Sequence, residues 1–314
     1  MKPGKVSENI IKRSILKSID DKSAAGYPDC ALFTGYVADE AMGSAGAHAL
    51  VRAINRAAEK GCRPINASLS VTMPSNMREK RMREIVEAAA AVAKEHDICI
   101  INGHTETVDG LKYPIVSATV VAAGNKASAE KALPGQAIVM TKWLGIYGSA
   151  LIATEHKEGP LTRYPAFLTK EAAELWQFIS VEKEAQIAHS SGSHYMYACG
   201  DGGVFAGLWK LADRSGIGLE VRFKDIPVRQ ETIELCEYYD INPYKLRSDG
   251  SLLIATDNPD ELVDALHEAD IHACVIGHFT EGIDRVLISG EEEPERRFIE
   301  EPTQDELTKI IWYN

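Results

Sequence analysis

Apolar and polar positions alternate, then recur at helical spacing, then alternate again along most of the chain. Cys30–Val37 (CALFTGYV) reads as a strand. Ala45–Lys60 (AGAHALVRAINRAAEK) sets Ala49, Ile54 and Ala57 on one stripe and stops at Gly61, which predicts a helix. Pro64–Val71 returns as a strand. Pro74-Ser75-Asn76 then offers a capping residue ahead of a long helix, Met77–His96. Ile98–Ile101 follows as a short buried strand and Tyr113–Ala123 as a longer one. Between them INGHTETV (101–108) reads as a polar loop.

The stretch 124–135 is polar and holds Pro134-Gly135, which places a domain boundary there. The alternation then resumes. Strands are predicted at Ala137–Thr141, Ile217–Phe223, Leu252–Thr256, His272–Ile276 and Arg285–Ile288. Helices are predicted at Thr169–His189, Gly203–Ser215, Gln230–Tyr239 and Asp260–Ala269, the last with Pro259 near its first turn. Two α/β halves, each with its own core, fit this succession.

Composition narrows the class without naming a chemistry. At 314 residues with 45% hydrophobic and 25% charged residues, the chain can bury two ordinary cores. Its charge is 34 − 46 = −12, which argues against non-specific nucleic-acid binding. The basic run at 78–83 opens a helical pattern and reads as a solvated face. Six cysteines lie far apart with no CxxC, so they read as reduced, mostly buried thiols. The first residues lack an apolar signal region and no window of about 18 apolar residues occurs. The expectation is a cytoplasmic enzyme or binder with no membrane span.

Three stretches carry candidate chemistry. Asn102-Gly103-His104-Thr105-Glu106 follows a strand, where α/β folds place ligands, yet Asn-Gly is also ordinary turn chemistry. Gly200-Asp201-Gly202-Gly203 precedes a helix, whose free N–H groups suit an anion, or it is a glycine-rich helix start. Gly145-Ile146-Tyr147-Gly148-Ser149 stands in a similar place but lacks the GxxxxGK[ST] pattern. The histidines His189/His194 and His272/His278 have no partners at metal-ligand spacing and read as structural or surface residues.

Taken together, AINRAAEKGCRPINASLSV (53–71), INGHTETV (101–108) and CGDGGVFAGLWKLADRSGIGLEV (199–221) resemble the aminoimidazole-ribonucleotide synthase (PurM-like) superfamily. Within it, IPVRQETIELCEYYDINPYKLRSDGSLLIAT (226–256) is similar to the second domain of the hydrogenase-maturation dehydratase HypE. The resemblance runs over nearly the whole chain, and motif order carries it.

The resemblance implies a two-domain α/β (α+β) fold. Residues 1–134 would form a ferredoxin-like half that pairs with a second copy into a barrel, and 135–314 an α/β sandwich. It implies an ATP-using enzyme that turns an amide or carbonyl oxygen into a phosphorylated leaving group, with a small-molecule or protein substrate. ATP would lie near the dimer interface, with Mg2+ on first-domain aspartates. Carried onto this chain, Asp29, Asn55, Arg56, Gly103, Thr105, Gly202 and Gly203 would hold the nucleotide. Asp29 would also hold metal, and His104, Glu106 and Asp201 would act in catalysis.

Departures from the family pattern are specific. Gly35, Arg56 and His104 stand where the family usually has carboxylates. Magnesium is a hard ion that binds through oxygens, so its site is expected to be altered, and an arginine could replace part of its charge. The chain's last residues read Ile311-Trp312-Tyr313-Asn314, where HypE carries a cysteine, so self-modification in that form is not expected. The alternative is a nucleotide- or ligand-binding module that has lost catalysis.

Overall fold

The computed structural model describes residues 30–38, 44–124, 131–290, 295–301 and 304–313. These divide into two compact units, 30–124 and 131–313.

The first unit is a four-stranded sheet with two helices on one face. Its elements run β1 (Cys30–Val37), α1 (Ala45–Glu59), β2 (Arg63–Pro74), α2 (Glu79–Glu95), β3 (Cys99–Val108) and β4 (Ile115–Ala123). The sheet order is β1-β4-β2-β3, with β2 and β3 parallel and the other pairs antiparallel. The sheet is open, with β1 and β3 at its edges. Alternation explains the packing: Val37, Val71, Val116 and Val120 point to the helices and are buried. Helix α1 offers Ala45, Ala49, Ala53 and Ala57 at i,i+4 spacing, a small-residue stripe that lets it lie close to β1. Helix α2 buries Ile85, Ala89 and Ala93.

Three expectations change here. INGHTETV is not a loop: β3 continues through it to Val108, in parallel register with β2. It is an edge strand exposed over most of its length, so neither face carries the apolar alternation that marks a buried strand. Helix α2 starts at Glu79, without a side-chain cap. Ser75 instead donates to the Asp109 carboxylate. Strand β4 starts at Ile115.

The second unit is built on a seven-stranded sheet, β11-β10-β7-β9-β5-β8-β6, in which only β10 and β7 run parallel. The strands are β5 (Ala137–Thr141), β6 (Tyr195–Ala198), β7 (Gly218–Arg222), β8 (Leu252–Thr256), β9 (Ala273–Thr280), β10 (Arg285–Ser289) and β11 (Glu295–Phe298). The helices are α3 (Ile146–Glu155), α4 (Ala166–Glu174), α5 (Glu182–Ser190), α6 (Gly203–Ser215), α7 (Gln230–Tyr238), α8 (Pro259–Glu268) and α9 (Leu307–Tyr313). Ile138, Met140, Leu208, Leu219, Leu253 and Phe279 fill the core. The single helix expected over 169–189 is two, broken by a 3-10 turn at Leu175–Phe178. Lys142, buried at positive φ after β5, ties that break down. Its ammonium pairs with Glu184 at 2.5 Å and donates to the carbonyls of Phe178 and Ser180.

Among the described residues no helix is long and apolar enough to cross a membrane. All six cysteines are free, but they are not mostly buried as expected: Cys62, Cys199 and Cys236 are buried, Cys274 is half-buried, and Cys30 and Cys99 lie exposed on the edge strands β1 and β3.

Candidate functional site

The predicted residues fall in three places. The first is β3. His104 Nε2 lies 3.6 Å from Glu106 Oε2, and Thr72 Oγ1 donates to Glu106 Oε1 at 3.3 Å. Successive strand residues point to opposite faces. His104 and Glu106 therefore share the face left uncovered by the helices, and Thr105 points to the other. Those three side chains do not line one pocket, as a loop could have allowed. The uncovered face is rich in hydroxyls: Thr34 and Thr119 hydrogen-bond at 3.0 Å, and Ser68, Ser70, Ser117 and Thr72 share it by register. Gly103 serves packing, because a Cβ there would sit 2.3 Å from the Leu69 carbonyl oxygen.

The second place is the opposite edge of the same sheet. Asn55 is buried in α1, while Arg56 is exposed and its Nη1 donates to the Thr34 carbonyl at 2.8 Å. One turn earlier, Arg52 Nη1 donates to the Tyr36 carbonyl at 2.8 Å. The two guanidiniums thus bracket Gly35 on the free edge of β1. His104 is in register with Ser70, Ser117 and Tyr36 in turn. Three strand spacings, roughly 14 Å, therefore separate it from the β1 edge. Within one chain, His104 and Glu106 do not meet Asn55 and Arg56. Asp29 lies outside the described residues.

The third place is the start of α6. Gly202 and Gly203 both adopt positive φ, and a Cβ on Gly203 would meet the Tyr244 carbonyl oxygen at 2.4 Å. Asp201 pairs with the buried Arg247, Oδ1 to Nε 3.0 Å. The Gly202 N–H donates to Asp305 Oδ2 at 2.6 Å, while Leu307 N–H donates to Oδ1 at 2.9 Å. A carboxylate from the chain's own C-terminal segment thus sits where an anion was expected. Burial pushes the Asp305 carboxyl up to about 7, Arg247 pulls it back and Asp201 pushes it up again. One buried arginine thus faces two acidic side chains.

The same buried segment braces the other glycine-rich helix start. Gly145 N–H donates to Ser248 Oγ at 2.8 Å and Gly148 N–H to the Arg247 carbonyl at 2.9 Å. Ser248 N–H reaches the Gly200 carbonyl at 3.2 Å. Residues 244–251 therefore knit both helix starts together. Asp305 and Arg247 were missed by sequence reasoning. Asp305 carries one local signal, an acidic residue just ahead of a short helix; nothing local marks its bond to Gly202.

The described residues do not provide the implied magnesium site. Among the described residues there is no group of three or more His, Cys, Asp or Glu that could hold a metal. A Cβ on Gly35 would lie 1.8 Å from the Ala49 carbonyl oxygen and 2.8 Å from Ala53 N, so no carboxylate fits there. These residues do not suit a hard cation. His189 and His194 stack, with Nδ1 atoms 3.1 Å apart, and recruit no third ligand among the described residues.

Comparison with known proteins agrees with this architecture. A hydrogenase expression/formation protein of Methanocaldococcus jannaschii is 24% identical, covering 98% of this chain and 97% of its own. A carbamoyl dehydratase HypE of Rhizobium leguminosarum bv. viciae is 23% identical, covering 88% and 82%. A HypE–HypF complex structure matches with TM-score 0.77 at 16% identity, over 93% of this chain and 99% of the matched one. A HypE structure in complex with ATP matches with TM-score 0.72 at 17% identity, over 97% of both. The N-terminal domain profile of AIR synthase related proteins matches residues 21–123 and the C-terminal domain profile 134–288, in the order in which the two units follow here. The chain belongs to the AIR synthase related family.

Proposed function

We propose that this chain is an ATP-binding, HypE-like enzyme that activates a carbonyl or amide oxygen by phosphoryl transfer. The supporting observation is the likeness, over nearly its whole length, to a HypE structure in complex with ATP. In the step, the substrate oxygen attacks the γ-phosphorus and ADP leaves. For an amide, the nitrogen then loses both its protons and closes a C≡N bond as the C–O bond breaks, and the oxygen leaves with the phosphorus as inorganic phosphate. Phosphoryl transfer asks the protein mainly for positioning and charge. In this reading Glu106, in contact with Thr72 and His104, accepts a proton, and Asp201, paired with Arg247, acts with it. The reading includes a homodimer paired through the uncovered sheet face, where Leu32 and Tyr36 are exposed.

The missing space at Gly35 favours a second reading, a nucleotide-binding module without catalysis. ADP release by the full chain, measured across a panel of primary amides and carbamoylated thiols, separates the two. The enzyme reading expects at least one amide to accelerate ADP release. Glu106→Gln should then slow it by about 10²-fold or more, while an exposed pair of this kind leaves stability within about 1 kcal/mol. A chain that binds ATP but releases no ADP above background with any amide is the module.

A further inference from the structure

We infer that the N-terminal unit holds the nucleotide's phosphates without a divalent ion, the Arg56 guanidinium supplying the positive charge. This rests on the nucleotide-binding reading above and concerns how that site is charged.

The argument begins with packing. Gly35 sits beneath α1, close against the Ala49 carbonyl, so a carboxylate is excluded by backbone atoms that no rotamer change can move. The site is therefore not one substitution away from holding a metal. Charge points the same way. Arg52 and Arg56 place guanidiniums on both sides of Gly35, through the Tyr36 and Thr34 carbonyls. A divalent cation brought close to the exposed Arg56 guanidinium would be repelled by its like charge.

Among the described residues, the acidic groups nearby do not reverse this. Glu59 on α1 pairs with Lys60 at 3.1 Å. Glu106 lies on the other edge strand and is engaged by His104 and Thr72. Arg56 is exposed, and only one of its five N–H donors is committed among the described residues. A guanidinium with free donors matches phosphate oxygens in a bidentate way. An always-charged side chain on the edge of β1 can thus do the electrostatic part of a metal's work.

The test is calorimetric titration of the full chain with ATP, once in EDTA and once in excess MgCl2. The expected result is affinity equal within about threefold in the two buffers. Arg56→Gln should weaken ATP binding in EDTA by about ten- to a hundredfold, the worth of one charged hydrogen bond, and Arg56→Lys should recover part of it. Affinity that falls by about tenfold or more when magnesium is removed overturns the inference and leaves the nucleotide-binding reading standing. Arg56→Gln binding like the wild type overturns the role of Arg56. Absence of binding in both buffers overturns the nucleotide reading, and this inference with it. Should Arg56→Gln not fold, the wild-type comparison and Arg56→Lys decide.

Discussion

Asp305→Ala is expected to lower the melting temperature by roughly 5–15 °C. The Asp305 side chain is buried and accepts from both Gly202 and Leu307 N–H groups. Its removal strands two buried donors and deletes the cap of α9, which costs about 2–4 kcal/mol. It also loosens the docking of Leu307, Ile310 and Ile311, all buried in the second unit. Asp305→Asn retains the shape and one acceptor, so its loss is smaller.

The wild type and Asp305→Asn differ in their response to pH. The Asp305 carboxyl is raised from 3.8 to about 7, by burial first and by Asp201 as well, against the pull of Arg247. A carboxyl raised on folding binds its proton more tightly in the folded chain than in the unfolded one. Its stabilising contribution is therefore full below 3.8 and is lost as pH rises through about 7. The amide introduced by Asp305→Asn does not titrate. The melting-temperature advantage of wild type over Asp305→Asn should thus shrink from pH 4 to pH 7, measured by thermal denaturation across that range. An advantage that grows over the same interval contradicts the assigned direction.

Gly35→Asp is expected to prevent the N-terminal unit from folding, and Gly35→Ala to cost about 3 kcal/mol or more. The added Cβ would lie 1.8 Å from Ala49 O, and the obstacle is helix backbone. Relief would require α1 to lift off β1, exposing the contacts of Ala49 and Ala53 and pulling Arg52 and Arg56 from their carbonyls. Chemical denaturation read by far-UV circular dichroism checks this. A Gly35→Asp chain of wild-type stability would mean that the close approach is absent in solution, and with it the case against a carboxylate at this position.

Much of the fold was legible because buried elements leave strong periods. Strands β1 and β4 show the two-residue alternation of one buried face, and Leu252–Thr256 the unbroken apolar run of a central strand. Helix α6 was legible from its glycine start and its apolar stripe. What failed to show was weakly patterned or non-local. Strand β3 has both faces in water for most of its length, so its polar residues resembled a turn. The α4–α5 break falls at Leu175–Phe178, a Leu-Trp-Gln-Phe run without glycine or proline, so nothing punctuated it.

The site was half legible for the same reason. Motif order located the Gly200–Gly203 helix start and the His104–Glu106 pair. It could not show that Asp305, 103 positions from Gly202, takes the anion place at α6. Nor could it show that His104 and Arg56 stand on opposite edges of one sheet, which depends on strand order alone. Gly35 was noticed as a missing carboxylate, while the reason for the glycine lies in the helix above it.

The most direct measurement is a crystal structure of the full chain grown with a non-hydrolysable ATP analogue in EDTA. The expected result is a nucleotide whose phosphates contact the Arg56 guanidinium, with no metal between them. A chain that crystallises without nucleotide at saturating analogue, or with its phosphates away from Arg56, would contradict the account.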